Sequence, residues 1–249
     1  MLLDELNEEQ RAAASQTEGA IMIVAGAGSG KTRTLTYRVA HLLEKGVSPF
    51  SILLLTFTNK AAKEMRERIE SLVGNGAKSI LMGTFHSVAA RILRLEAEKL
   101  GYTKNFVIYD TSDSKTLLKN IIKDRCFDSK IYVPSFVLDR ISKAKSSLIS
   151  AAEYAEDPIR RTEDAVAGKP AIAELYLEYE RRLKRAVAMD FDDLLFNLYR
   201  LLTLDPSVAD KYSQRFRYIM VDEYQDTNHA QYLIVKKLAS RHKNVCVVG

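Results

Sequence analysis

Residues 25–32, Ala-Gly-Ala-Gly-Ser-Gly-Lys-Thr, decide the fold, because they follow a short apolar run and open a helical stretch. Closely spaced glycines allow several backbone N–H groups to turn toward one anion, and the following helix adds the positive end of its dipole. Lys31 can then neutralise nucleotide phosphates, and Thr32 can ligate Mg²⁺. Alanine stands at position 25, where the strict pattern has glycine, so we expect a backbone there that tolerates a side chain. The predicted nucleotide-binding residues of this segment are Ala25, Gly26, Ala27, Gly28, Ser29, Gly30, Lys31, Thr32 and Arg33.

Short apolar runs alternate with helical stretches on both sides of this loop. The expected strands are 20–24, 52–56, 79–83, 218–221 and 245–248, and the expected helices are 31–45, 59–73, 87–100 and 228–239. Apolar strands that alternate with helices predict an α/β fold, a parallel sheet covered on both faces. From residue 106 to about 185 apolar residues recur at helical spacing, which predicts an inserted, mainly helical domain. We therefore expect a core formed by residues 1–105 and 186–249.

The composition is that of an ordinary globular protein. The chain has 249 residues, of which 47% are hydrophobic, and a formal net charge of +5, a mild preference for polyanions. No apolar run approaches the roughly 20 residues that span a bilayer, and the N-terminus is acidic where a signal peptide would be basic. Cys126 and Cys246 lie far apart, so neither a disulfide framework nor a Cys-x-x-Cys metal site is expected. We expect a cytoplasmic protein with no membrane partner.

A pair of acids follows the predicted strand 218–221. Asp222 and Glu223 would lie at the carboxyl end of that strand, the edge at which open parallel sheets bind ligands. An enzyme with a phosphate-binding loop needs one carboxylate to hold Mg²⁺ and an adjacent base to orient the attacking water. Asp222 fits the first role and Glu223 the second, so Thr32 and Asp222 form the predicted metal site.

The nucleotide is expected to be ATP. A guanine-specific switch protein would need an Asn-Lys-x-Asp element, and the one Asn-Lys pair, at residues 59–60, is followed by two alanines. The predicted cofactors are therefore ATP and Mg²⁺.

Five segments resemble elements of the superfamily 1A DNA helicases of the UvrD/PcrA/Rep group. They are residues 6–10, 56–62, 83–87, 190–195 and 222–226, which lie beside the phosphate loop in the family's order. The resemblance implies a RecA-like core and makes Gln10 the adenine contact, for which an amide that both donates and accepts is suitable. It also implies that Gln225 couples the phosphate state to movement. The implied catalytic residues are Lys31, Glu223 and Gln225.

Two of these segments are those with which the family contacts single-stranded DNA. The implied DNA-binding residues are Thr56, Phe57, Thr58, Asn59, Thr84 and His86. Physically, Phe57 and His86 follow predicted strands at one sheet edge, where an exposed ring can stack a base, and hydroxyl groups nearby can bind phosphates. Phe85 fits a core aromatic as well as a DNA contact. The basic run at residues 181–185 fits a solvated helix face better than a grip on DNA.

The resemblance implies an ATP-driven translocase on single-stranded DNA, moving 3′ to 5′ and separating strands of tailed duplexes in repair or replication. Accessory repair proteins are conceivable partners. Relatives continue into a second RecA-like domain whose arginines stabilise the transition state, so we expect this chain to bind nucleotide but to hydrolyse it slowly. Two alternatives stay open: the motor part of an ATP-dependent recombination nuclease, and a DNA-binding module gated by ATP without hydrolysis.

Overall fold

The computed structural model describes residues 2–26 and 28–249. Its strands are, in chain order, β1 (Ile21–Ile23), β2 (Ile52–Thr56), β3 (Leu81–Thr84), β4 (Val107–Tyr109), β5 (Ala188–Asp190), β6 (Tyr218–Val221) and β7 (Val245–Val248). Its helices are α1 (Glu8–Ser15), α2 (Lys31–Glu44), α3 (Asn59–Val73), α4 (Phe85–Glu96), α5 (Thr111–Asp124), α6 (Pro134–Ser146), α7 (Ala151–Glu156), α8 (Pro158–Val166), α9 (Ile172–Arg185), α10 (Phe191–Leu204), α11 (Pro206–Arg215) and α12 (His229–Leu238). A short 3₁₀ turn, Leu2–Glu5, precedes α1.

The first compact unit, residues 1–88 and 201–249, contains a five-stranded sheet. The strand order is β1-β7-β6-β2-β3, and every neighbouring pair is parallel. Every residue of β2 and β6 is buried, as is typical of parallel strands with helices on both faces. The predicted parallel α/β sheet is therefore confirmed: three strands have the expected ends, and the ends of β1 and β3 differ from the expected ones by one or two residues.

Local sequence determines where the helices beside the site begin. Thr58 caps α3 by accepting a hydrogen bond from the backbone N–H of Ala61 (3.1 Å). Asn228 and Gln231 form a reciprocal capping box at the start of α12. Gly83 lies in β3 just before α4, where a Cβ atom would overlap with Ser87 Oγ. Helices α3 and α4 thus begin within three residues of the carboxyl ends of β2 and β3.

The second compact unit, residues 89–200, is mainly helical. Its core consists of side chains from α5, α6, α7 and α9, including Leu118, Ile141, Tyr154 and Tyr176. The two short strands of this unit, β4 and β5, pair in parallel with each other. The unit is thus longer than the 106–185 segment expected from the sequence, and its limits fall inside α4 and α10. The division into functional domains at residues 105 and 186 stays a prediction.

Candidate functional site

The phosphate loop leads from β1 into α2. Gly30 is the N-cap of α2 and has a left-handed backbone, φ 86°, as does Gly28, φ 79°. These positions require glycine, because side chains rarely adopt such angles. Ala25 is not among the residues with positive φ, and its N–H donates to the carbonyl of Gly249 (3.2 Å). The alanine at position 25 therefore fits an ordinary backbone. The predicted contact at Ala27 lies outside the described residues.

The segment before β1 contacts this loop. Gln10 donates from Nε2 to the carbonyl of Ser29 (2.9 Å), and its Oε1 accepts from the N–H of Asn7 as part of a capping box. A methyl group at Gly30 would lie 2.7 Å from Gln10 Nε2. The predicted adenine-contacting residue and the phosphate loop are thus neighbours. The contact between Gln10 and adenine stays a prediction.

The two acids after β6 differ in environment. Asp222 is only 4% exposed, its N–H donates to the carbonyl of Leu55 (3.0 Å), and its Oδ1 has no hydrogen-bond partner among the described residues. Burial raises the pKa of Asp222, and the Glu223 carboxylate raises it further. A hydrogen bond from the Glu223 backbone N–H and the positive charges of Lys31 and Arg68 oppose that rise in pKa. The charge of Lys31 therefore acts on Asp222 although the two residues lie far apart in the sequence.

Glu223 has a left-handed backbone, φ 50° and ψ 46°. Such a conformation costs free energy in a residue with a side chain and is concentrated at functional sites. Gln225 donates from Nε2 to Glu223 Oε2 (2.7 Å), so two of the predicted catalytic side chains are in direct contact.

The chemistry of this edge fits Mg²⁺ and a triphosphate. A buried carboxylate oxygen without a donor is costly, and a metal ion or its bound water would satisfy it. Mg²⁺ commonly takes one or two protein ligands and completes its shell with waters and phosphate oxygens. Within residues 2–26 and 28–249 no group of three or more His, Cys, Asp or Glu side chains is arranged to hold a metal ion. Thr32 and Asp222 fit the smaller ligand set.

The two segments predicted to contact DNA lie side by side. Thr56 of β2 pairs in register with Thr84 of β3, so both segments leave the sheet at the same edge. Phe57 is half-buried and packs against the buried Phe85, with ring centroids 5.7 Å apart. Phe85 is thus part of the core, and the Phe57 ring keeps an open side.

The polar residues of these segments differ in burial and in hydrogen bonding. The Thr56 hydroxyl is buried and donates to the carbonyl of Thr58 (3.1 Å), whereas Thr58 and Asn59 are exposed at the start of α3. Thr84 Oγ1 accepts from the N–H of Ser87 (3.2 Å). Burial lowers the pKa of His86 to about 4, so its imidazole is neutral at pH 7.

Arg68 is a candidate residue of the phosphate and metal site that the sequence pattern did not identify. It lies on α3, where four basic residues occur without a feature that distinguishes one of them. Lys60 and Lys63 form ion pairs with acids one turn later, and Arg66 donates to the carbonyl of Met82. The charge of Arg68 acts on Asp222 instead. Arg68 becomes a candidate site residue only because the fold brings α3 near Asp222.

The basic run at residues 181–185 has a structural explanation within the helical unit. Arg181 and Arg182 both donate to the buried carboxylate of Glu178, and so does Arg125. These guanidinium groups hold the pKa of Glu178 well below its ordinary value.

Comparison with known proteins gives the family. The family model described as "UvrD/REP helicase N-terminal domain" matches residues 6–249. The chain belongs to this family. Among curated UvrD/REP relatives, the chain is 47% identical over 249 residues to the ATP-dependent DNA helicase PcrA of Staphylococcus aureus and 45% identical over 252 residues to that of Bacillus subtilis. Each alignment covers 100% of this chain and 33% of the relative.

The chain therefore spans about a third of the length of these UvrD/REP relatives. The resemblance inferred from the five motifs and the α/β fold it implies are confirmed. In the part of the chain that the structure describes, no helix has the length and apolar character needed to cross a membrane.

Proposed function

We propose that this chain is the ATP-binding motor domain of a DNA helicase, which couples ATP hydrolysis to movement along single-stranded DNA. The observation that carries the proposal is the Oδ1 of buried Asp222, which has no hydrogen-bond partner in the described chain. Asp222 is affected by the charge of Lys31 and lies at the sheet edge where the phosphate loop begins. The names of the PcrA relatives support the choice of ATP and DNA. Movement from 3′ to 5′, action on tailed duplexes and a cytoplasmic role in repair or replication belong to the same proposal.

Each residue of the site has its own role. In this proposal Lys31 and the N-terminus of α2 bind the phosphates of ATP, and Gln10 and Arg33 contact the base. Thr32 and Asp222 would hold Mg²⁺, which supplies positive charge to the phosphate oxygens. Glu223 orients the attacking water and accepts its proton, and the hydrogen bond from Gln225 fixes the Glu223 carboxylate.

The DNA strand is proposed to cross the neighbouring loops after β2 and β3. The open side of the Phe57 ring and the neutral His86 imidazole can stack bases without selecting a sequence, which a translocating motor requires. Thr58, Asn59 and Thr84 lie at the helix N-termini behind these rings, where hydroxyl, amide and backbone N–H groups bind phosphates.

ATP binding by purified variants tests this proposal. We expect Lys31→Ala to abolish detectable MgATP binding in calorimetric titration, and Glu223→Gln to retain the affinity while hydrolysis stops. Lys45→Ala is the matched control, because Lys45 is an exposed lysine at the other end of α2. Equal ATP affinity in Lys31→Ala and Lys45→Ala would contradict the phosphate-binding role.

Phosphate release with and without single-stranded DNA tests the motor role. Charge-stabilising arginines supplied by another domain can be worth about 10³- to 10⁵-fold in rate. We expect slow release by this chain, and release stimulated by DNA in a protein that also carries the second motor domain. Absence of hydrolysis in that longer protein would favour an ATP-gated binding module instead.

A further inference from the structure

A network of side chains joins the first residues of the chain to helix α2, immediately after the phosphate loop. Arg33 donates from Nη2 to the backbone carbonyl of Glu5 (2.9 Å), and the same nitrogen lies 3.7 Å from the Glu5 carboxylate. The Tyr37 hydroxyl donates to that carboxylate. The Arg33 guanidinium lies over the Tyr37 ring, 5.4 Å from its centroid. Glu5 therefore contacts both α2 side chains at once.

This network lies at the base-binding end of the proposed nucleotide site. A methyl group at Gly30 would lie 2.7 Å from Gln10 Nε2 and 3.9 Å from Arg33 Cβ, so both side chains flank the start of α2. The Tyr37 ring is buried, whereas the Arg33 side chain is 50% exposed. The guanidinium thus has one side against the protein and one side open to a ligand.

We propose that Glu5 is a positioning residue that orients the Arg33 guanidinium for contact with the purine base of a bound nucleotide. This inference rests on the proposed function, which assigns Arg33 to the base, and it adds the residue that holds Arg33 in place. A planar guanidinium stacks well on aromatic planes, and a purine is such a plane. A free arginine would lose rotamer freedom on binding, whereas Glu5 restrains Arg33 beforehand.

A purely structural role for Glu5 makes different predictions. The segment before α1 is also held by apolar contacts, since Leu6 and Tyr37 form a small cluster with Ala14, and Leu2 and Leu3 pack against it. If Glu5 only anchors this segment, its loss lowers stability and affects every ligand of the phosphate loop equally. If Glu5 orients Arg33, its loss affects ligands that carry a base and spares those that consist of phosphates alone.

The experiment compares Mg²⁺-dependent binding of ATP and of inorganic tripolyphosphate by the 249-residue chain. We expect Glu5→Gln to weaken ATP binding about three- to tenfold, the range for one side chain that must be immobilised on binding. Tripolyphosphate binding should not change. Glu67→Gln is the matched control, because Glu5 and Glu67 are both 62% exposed and each contacts a basic side chain.

A double-mutant cycle shows whether Glu5 acts through Arg33. We expect Glu5→Gln to have no further effect on ATP affinity in an Arg33→Ala background. Additive losses, or equal losses for ATP and tripolyphosphate, would overturn the positioning role. An unchanged ATP affinity in Glu5→Gln would overturn it while leaving the proposed function intact, whereas failure of the unmodified chain to bind ATP would overturn both.

Tyr37→Phe provides the second variant if Glu5→Gln does not fold. It keeps the ring that packs in the apolar cluster and removes only the hydroxyl that donates to Glu5. We expect a smaller loss of ATP affinity than for Glu5→Gln, again with unchanged tripolyphosphate binding and melting temperature. No change in the ratio of the two affinities would count against the inference.

Discussion

Two groups of buried carboxylates in this chain differ in how their oxygen atoms are satisfied. In the helical unit, Lys145 Nζ lies 2.7 Å from Asp190 Oδ2 and 2.7 Å from Asp193 Oδ1. Two backbone N–H groups reach the remaining oxygens, and the Tyr179 hydroxyl donates to Asp190 as well. Asp222, at the sheet edge of the other unit, is just as buried but leaves Oδ1 without a hydrogen-bond partner in the described chain. The first group is complete without a ligand, and the second is not.

The largest expected effect comes from breaking the complete group. Lys145→Met should lower the free energy of unfolding by about 3–5 kcal/mol, because it leaves two buried carboxylates without their counter-charge. Urea unfolding followed by circular dichroism measures this loss. Lys143→Met is the control, since Lys143 is exposed and pairs with Asp139 one turn away, a contact worth at most about 1 kcal/mol. Similar losses in both variants would remove the distinction between the two groups.

The incomplete group should respond in the opposite direction. Asp222→Asn should raise the free energy of unfolding by about 1 kcal/mol without ligand, because it replaces a buried charge, one oxygen of which lacks a hydrogen bond, with a neutral amide. It should also abolish the tightening of ATP binding by Mg²⁺. Thermal melting and titrations with and without Mg²⁺ measure the two effects.

The pH dependence sharpens this prediction. The pKa of Asp222 is raised in the folded protein, so the folded state binds this proton more tightly than the unfolded chain does. Stability attributable to Asp222 therefore falls as the pH rises from the ordinary carboxyl pKa through the raised one. The gain in Asp222→Asn should therefore grow as the pH rises through the raised pKa of Asp222, and it should vanish in acid that protonates Asp222 in both states. A variant less stable than the parent at pH 7 would contradict the ligand-dependent role.

The parts of the site that could be predicted from the sequence are those encoded by local patterns. The glycine spacing before Lys31 and the acids after β6 are local patterns, and parallel sheets bring the carboxyl ends of strands together, so these residues could be placed in advance. The contacts of Glu5 with Arg33 and Tyr37 depend on how the chain packs over α2, which no local spacing encodes.

The helical unit was harder to predict for a related reason. Its strands β4 and β5 are three residues long and pair across about 80 residues, so neither gives a clear periodic signal. Lys145 lies in an ordinary amphipathic helix, and its charge is explained only by two acids that follow 45 and 48 residues later. The prediction of this unit was therefore limited by pairing between residues far apart in the sequence, and not by weak secondary-structure propensity.

The smallest effect concerns His86, whose positive charge is suppressed by burial. The pKa of His86 falls to about 4 in the folded protein, below its ordinary value of 6.5. Between these values the unfolded chain binds more protons, so the contribution of His86 to stability is present above about pH 6.5 and is lost as the pH falls toward 4. His86→Gln should therefore show a smaller drop in melting temperature between pH 7 and pH 5 than the parent. His229→Gln, at an exposed position at the start of α12, should keep the parent's drop.

Because the His86 imidazole is neutral at pH 7, His86→Gln should also weaken binding to single-stranded DNA. The salt dependence of DNA binding should not change, since only a phosphate contact by a positive charge would alter that slope. A changed salt slope would mean that DNA draws a proton onto His86, and the stacking role would then have to be replaced by an ionic one.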